Sequence, residues 1–126
     1  MGHCDDSLRK IGRAIFAYQE ENDYHNPAGL QELVDLDLIT SWELVCPAAS
    51  FPVGESSYEY RGDDLYADVL PDMILAYDRQ PNHKGRRNIL FADGRVERPP
   101  EKYITDIIAK DNECRRQLQL TEKPLK

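Results

Sequence analysis

Residues 82–96 read Asn-His-Lys-Gly-Arg-Arg-Asn-Ile-Leu-Phe-Ala-Asp-Gly-Arg-Val, and the reading of the whole chain turns on them. The apolar run Ile89-Leu90-Phe91-Ala92 meets Asp93-Gly94, and Arg95-Val96-Glu97 follows at once. Asp-Gly between two extended segments marks a tight antiparallel hairpin. A type I′ turn needs positive φ at both central residues, which Gly accepts freely and Asp tolerates. The spacing predicts strands at 89–92 and 95–97. The first half of the stretch, His83 to Arg87, is a basic loop that delivers the chain into the first of them.

Working outward from the hairpin, Met73-Ile74-Leu75-Ala76-Tyr77 is a short apolar run suited to a buried strand, and Asp78 to His83 is the polar loop that follows it. Tyr58-Glu59-Tyr60 alternates as a half-exposed strand does, and Arg61-Gly62-Asp63-Asp64 turns the chain. These segments predict a small antiparallel sheet of three to four strands. Beyond Pro99-Pro100, Glu101 to Gln119 reads as a C-terminal helix, with Tyr103 or Ile104, Ile107, Ile108, Asn112 or Cys114, and Leu118 in rough register. Residues 121–126 are a polar tail, expected to fray.

Towards the N-terminus, Asp5 to Asn22 predicts an amphipathic helix. Leu8, Ile11, Ile15 and Tyr18 recur three and four apart, with Arg9, Lys10, Arg13, Gln19 and Glu20 opposite. Pro27 ends that segment, and a shorter helix is expected over Gly29 to Leu36. Trp42 is the only tryptophan, and Ala48 to Ser57 reads as a loop. The order helix, helix, strands, helix indicates an α+β fold, one face of the sheet covered by the first helix.

The 126 residues form one domain, 1–126, large enough for a single core. The net charge of −7 works against a phosphate backbone or an anionic surface as partner, so no nucleic acid is expected. No apolar window reaches the roughly 18 residues of a membrane span. Cys4, Cys46 and Cys114 form no CxxC pair, which excludes a zinc ribbon.

Candidate chemistry is sparse. His83 and Asp93 flank a strand, an arrangement that raises acid–base work, but no nucleophile accompanies them at a recognisable spacing. Asp63, Asp64, Asp68, Asp72 and Asp78 concentrate in the loops around the sheet, where a hard cation such as Ca²⁺ would find several oxygens, although no EF-hand loop is present. A solvated acidic rim is the plainer reading. Arg61-Gly62-Asp63 spells a cell-adhesion tripeptide, too short to carry weight. Lys84, Arg86 and Arg87 form a small basic patch.

Taken together, these features resemble the prepilin-type proteins, pseudopilin-like and type IV pilin-like, recognised by an H-x9-D-G signature. Here His83 is followed by nine residues and then by Asp93-Gly94. The helix from Cys4 to Asn22, the Pro27-x2-Leu30-x2-Leu33 segment, Cys46-Pro47 and Tyr58-x-Tyr60 are similar to the family pattern in the same order. The helix after Pro100 is not part of that pattern. The resemblance implies a type IV pilin-like fold, its N-terminal helix packed across the sheet, and a non-enzymatic structural subunit of a type II secretion or type IV pilus-like apparatus. It also implies a cleavable leader and a hydrophobic half-helix ahead of these residues, extracytoplasmic placement with an inner-membrane anchor, and other pilin-like subunits as partners. In such a compartment Cys4 and Cys46 could tie the helix to the loop before the sheet. The alternative from another class is an extracytoplasmic binding module on the same fold, holding Ca²⁺ or a glycan between loops 61–72 and 78–87.

Overall fold

The computed structural model describes residues 3–46, 56–67, 69–81 and 84–125, with side chains from residue 6 onward. Helix α1 (His3–Glu21) and the short α2 (Leu30–Asp35) precede a 3₁₀ turn at Ser41–Leu44. Strands β1 (Tyr58–Tyr60), β2 (Ile74–Asp78), β3 (Ile89–Phe91) and β4 (Val96–Glu97) follow, and α3 (Ile104–Gln117) closes the chain. The strands form one antiparallel meander in the order β1-β2-β3-β4, so the fold is α+β with a four-stranded antiparallel sheet.

Both faces of this sheet are covered, where the sequence pattern predicted a helix on one. On one side Leu8, Ile11, Ala14 and Ile15 of α1 bury against Leu75, Ala76 and Leu90, joined by Leu30 and Leu33 of α2. On the other, Ile104 and Ile108 of α3 bury against Ile74, Tyr77, Ile89 and Phe91. Every residue of β2 is buried, as its unbroken apolar run requires of a central strand in a three-layer arrangement. Ile74 pairs with Phe91 and Ala76 with Leu90, so Leu75 is an extra residue in β2. This bulge explains why Ile74 and Tyr77, three apart, face the same helix: strict alternation would have put them on opposite faces.

Close approach of α1 to the sheet depends on Gly12, where an added Cβ would lie 3.1 Å from Leu90 Cδ1. Gln19, expected on the polar side of α1, is buried instead. Its amide donates to Asn26 Oδ1 (2.5 Å), and Asn26 Nδ2 donates to the Gly62 carbonyl (3.0 Å), so a polar chain ties the end of α1 to the turn after β1.

The described part of the C-terminal tail, residues 121–125, is docked and not frayed. Asn112 reads the Lys123 peptide from both sides: its Nδ2 donates to the Lys123 carbonyl (2.9 Å), and its Oδ1 accepts the Lys123 N–H (2.8 Å). Arg115 Nε donates to the Thr121 carbonyl (2.7 Å). These side chains recognise backbone, so the polar composition of the tail is no obstacle to its docking.

Candidate functional site

The hairpin tip is built differently from the two-residue turn that Asp-Gly predicts. Leu90 pairs with Val96, the Phe91 N–H donates to the Arg95 carbonyl (3.0 Å), and the Gly94 N–H donates to the Phe91 carbonyl (2.9 Å). The loop is therefore Ala92-Asp93-Gly94, three residues long, with positive φ at Gly94 (+92°) and not at Asp93. This is the turn-plus-bulge form of a hairpin, in which only the last loop residue must be left-handed. Glycine at 94 is required twice, since an added Cβ would also sit 3.0 Å from Phe16 Cε2 of α1.

Arg95 organises the tip. Its guanidinium contacts Asp93 (2.8 Å), Asp72 (2.8 Å) and Glu97, and lies 4.1 Å from the centroid of the Phe91 ring. The Glu97 hydrogen bond, followed by those to Asp93 and Asp72, outweighs desolvation and raises the Arg95 pKa. Burial alone would raise the Asp93 carboxyl, but the Arg95 backbone N–H, guanidinium and charge outweigh it and hold the carboxyl below the ordinary range. Asp93 is thus an ionised acceptor that sets the turn, the opposite of a poised proton donor. Its sequence partner His83 lies outside the described residues.

The acidic loop residues do not converge. Asp63 pairs with Lys123 and Asp64 with Arg115, while Asp72 pairs with Arg95 at the hairpin tip. Asp78 is buried at the end of β2, where its Oδ2 accepts the Asn88 N–H (2.7 Å). Burial raises the Asp78 pKa to about 6 against the lowering effects of the Asn88 N–H and of the Arg98 and Arg87 charges. Asp68 lies outside the described residues. Among the described residues no group of three or more His, Cys, Asp or Glu is placed to hold a metal ion. Of the described four, Asp63 and Asp64 lie beside Lys123 and Arg115, Asp72 is held by Arg95 and Asp78 by the Asn88 N–H, so their oxygens are spread over three separate places.

The basic loop is likewise partly committed. Arg87 Nε donates to Glu101 (3.0 Å), and its Nη1 to the Arg79 carbonyl (3.0 Å), fastening the loop to the start of the C-terminal helical segment. Arg86 forms an isolated bridge with Pro100, and Lys84 is exposed. Cys46 is buried and disulfide-bonded, Cys114 carries a free thiol, and the side chain of Cys4 lies outside the described part.

The densest polar constellation is one that sequence reasoning missed. Arg61, the first residue of the adhesion-like tripeptide, is 1% exposed and cannot be read by a partner. Its Nε and Nη2 both donate to Asp111 Oδ2 (3.0 and 2.7 Å), its Nη2 also to Asn112 Oδ1 (3.0 Å), and its Nη1 to the Lys123 carbonyl (2.7 Å). Asp111 Oδ1 accepts the Ile74 N–H (2.9 Å) at the start of β2. Arg115, fully buried, donates to the Arg61 carbonyl (3.3 Å) and pairs with Asp64. The signal was present: Ile104, Ile108, Asp111 and Arg115 lie on one helical stripe that changes from apolar to charged. Comparison with protein-family models, with curated proteins and with solved structures gave no match. Arg61 and Asp111 spend their polar atoms on one another, on Asn112 and on the backbone of Ile74 and Lys123, so the constellation acts as a clamp joining α3, the sheet and the tail.

Proposed function

We propose that this chain is the head domain of a pilin-like, non-enzymatic structural subunit that assembles with other pilin-like subunits in a type II secretion or type IV pilus-like apparatus. The single observation that most supports the reading is the junction of α1 with the hairpin. The two ends of the chain's family resemblance, the helix of residues 4–22 and the Asp93-Gly94 turn, meet where Gly94 packs against Phe16. An amphipathic helix laid across an antiparallel meander, with the signature turn seated on it, is the arrangement such a head requires. The ion-paired state of the turn's carboxylate favours a structural role for the signature over a chemical one. In this reading the protein acts outside the cytoplasm, held to the inner membrane by an apolar segment continuous with α1. None of the described helices is itself long and apolar enough to cross a membrane.

The complete reading frame of the gene tests the proposal. We expect the gene to encode, immediately before Cys4, about 20 apolar residues in helical continuity with α1, behind a short basic leader. A frame that opens at Met1 removes the anchor and with it the apparatus role. Where the anchor is found, cross-linking in intact envelopes is expected to give a ladder of subunit multiples, and a single monomer band would refute assembly.

A further inference from the structure

The one tryptophan of the chain is the most exposed large hydrophobic side chain among the described residues. Trp42 is 85% exposed on the 3₁₀ turn Ser41–Leu44, although tryptophan ordinarily buries most of its surface. Next to it runs a groove of about 260 Å³ between α1 and the segment 38–43, floored by Ala14, Ala17, Leu38 and Ile39 and rimmed by Lys10, Arg13 and Glu43. Its size falls below the roughly 300–1,000 Å³ of small-molecule sites and suits a single large side chain. Lys10 and Arg13 are exposed, and neither has an ion pair among the described residues.

One patch thus carries a projecting indole, an apolar slot for it, two cations and one carboxylate. That is the composition of a self-complementary surface, in which a two-fold axis brings the indole of each copy against the slot of the other and the carboxylate of each against the other's cations. We propose that the chain self-associates through this face as an isologous pair, Trp42 of each copy seated in the α1 groove of the other. Glu43 of one copy faces Lys10 and Arg13 of its partner. A foreign partner would have to match the knob, the slot and both charges independently, whereas a second copy matches them by symmetry. Two inserted indoles bury on the order of 300–500 Å², a fraction of the roughly 1,200–2,000 Å² of a stable interface. The association is therefore weak and dependent on concentration.

The inference concerns the soluble chain alone, so it stands or falls separately from the apparatus reading. Sedimentation over a concentration series, with tryptophan emission and acrylamide quenching recorded on the same samples, tests it, because all of the signal comes from Trp42. Expected is a monomer-to-dimer shift with rising concentration, accompanied by a blue shift and reduced quenching. Trp42→Ala, a change at an exposed site, should leave the fold intact and the protein monomeric. Arg13→Glu and Glu43→Arg should each weaken the dimer several-fold, and the two together should recover part of the loss. A wild-type chain that stays monomeric with water-exposed emission overturns the proposal. So does a dimer that survives Trp42→Ala unchanged, or a double charge variant no stronger than the singles.

Discussion

Replacing Asp111 with Ala tests the clamp that fastens α3 to the sheet. The carboxylate accepts two hydrogen bonds from Arg61 and one from the Ile74 N–H, and its side chain and that of Arg61 are each 1% exposed. Removing it leaves a guanidinium in the interior with its charge uncompensated, a change that costs about 3–5 kcal/mol. It also orphans a buried backbone N–H, worth another ~1–3 kcal/mol. Because the two effects share one site they will not add fully, and we expect a loss of about 4 kcal/mol or more. Set against the roughly 5–15 kcal/mol that holds a domain of this kind together, that places the variant near the edge of folding. Urea unfolding followed by far-ultraviolet circular dichroism is the suitable assay, since Trp42 is too exposed to report on the core. Arg61→Met with Asp111→Leu should recover much of the loss by restoring a neutral, packed interior. Recovery stays partial, because Asn112 Oδ1 and the Lys123 carbonyl also lose a donor. A loss below about 1 kcal/mol for Asp111→Ala, outside the range for a stripped buried pair, would refute the assignment of the clamp as the tie between α3 and the sheet.

Three further outcomes are expected. The Asp78 carboxyl, raised by burial from 3.8 to about 6, favours the folded state most when protonated. Its contribution is complete below pH 4 and is lost as pH rises through 6, a swing of roughly 3 kcal/mol that should separate the pH–stability curve of the wild type from that of Asp78→Asn; parallel curves would contradict it. Gly94→Ala forces a side chain to φ +92° and against Phe16, and should cost about 1–3 kcal/mol in thermal or urea unfolding, whereas Gly85→Ala, at φ +76° with open space around it, should cost only the backbone part. Thiol titration of the denatured, unreduced chain should count one reactive cysteine, and Cys114→Ser should bring that count to zero; two or more thiols in the wild type would count against the bonded state of Cys46.

What the residues announced and what they concealed divides along a physical line. Elements whose burial is apolar were visible from their apolar pattern: α1 through Leu8, Ile11 and Ile15, α2 through Leu30 and Leu33, and the strands β1 to β3, with β4 marked by the turn before it. Asp93-Gly94 marked the hairpin but not its loop length, because Gly is needed at the left-handed position in both the two- and three-residue forms. Burial achieved by hydrogen bonds escaped the same method. Gln19 reads as solvent-facing until Asn26 is seen to receive it, and the inner face of α3 loses its apolar period at Asp111, Asn112 and Arg115 because their partner Arg61 is 50 residues or more away. The tail misled for the same reason, since Asn112 and Arg115 bind its main chain and its side chains say nothing of that. The acidic loops read as a solvated rim or, less plainly, a cation site, and Asp63, Asp64, Asp72 and Asp78 went instead to cations or an N–H that folding brought to them.

The way both faces of the sheet are used also narrows where a neighbour can attach. With α1 and α3 on opposite sides, neither face of the sheet is open to a neighbour, which leaves its edges, the loops and the outer surfaces of the helices. The β4 edge is two residues long and runs directly into Pro99-Pro100, with Arg86 bridged to Pro100 alongside, which is a poor template for another strand. The β1 edge is three residues long, and next to it the Ser56 hydroxyl takes the Tyr58 N–H (3.1 Å) and the Tyr60 hydroxyl reaches the Pro27 carbonyl (2.8 Å). Sheet extension is thus blunted at both ends, and the outward surface of α3 lacks large apolar side chains between Ile104 and Gln117 apart from the partly buried Ile107. Among the described residues, the outer stripe of α1, from Lys10 to Ala17, with Leu38 and Trp42 beside it, is a surface where exposed apolar area and unpaired charge coincide. A pair of these chains in solution therefore meets most readily there, which is why Trp42→Ala is the substitution that should abolish it.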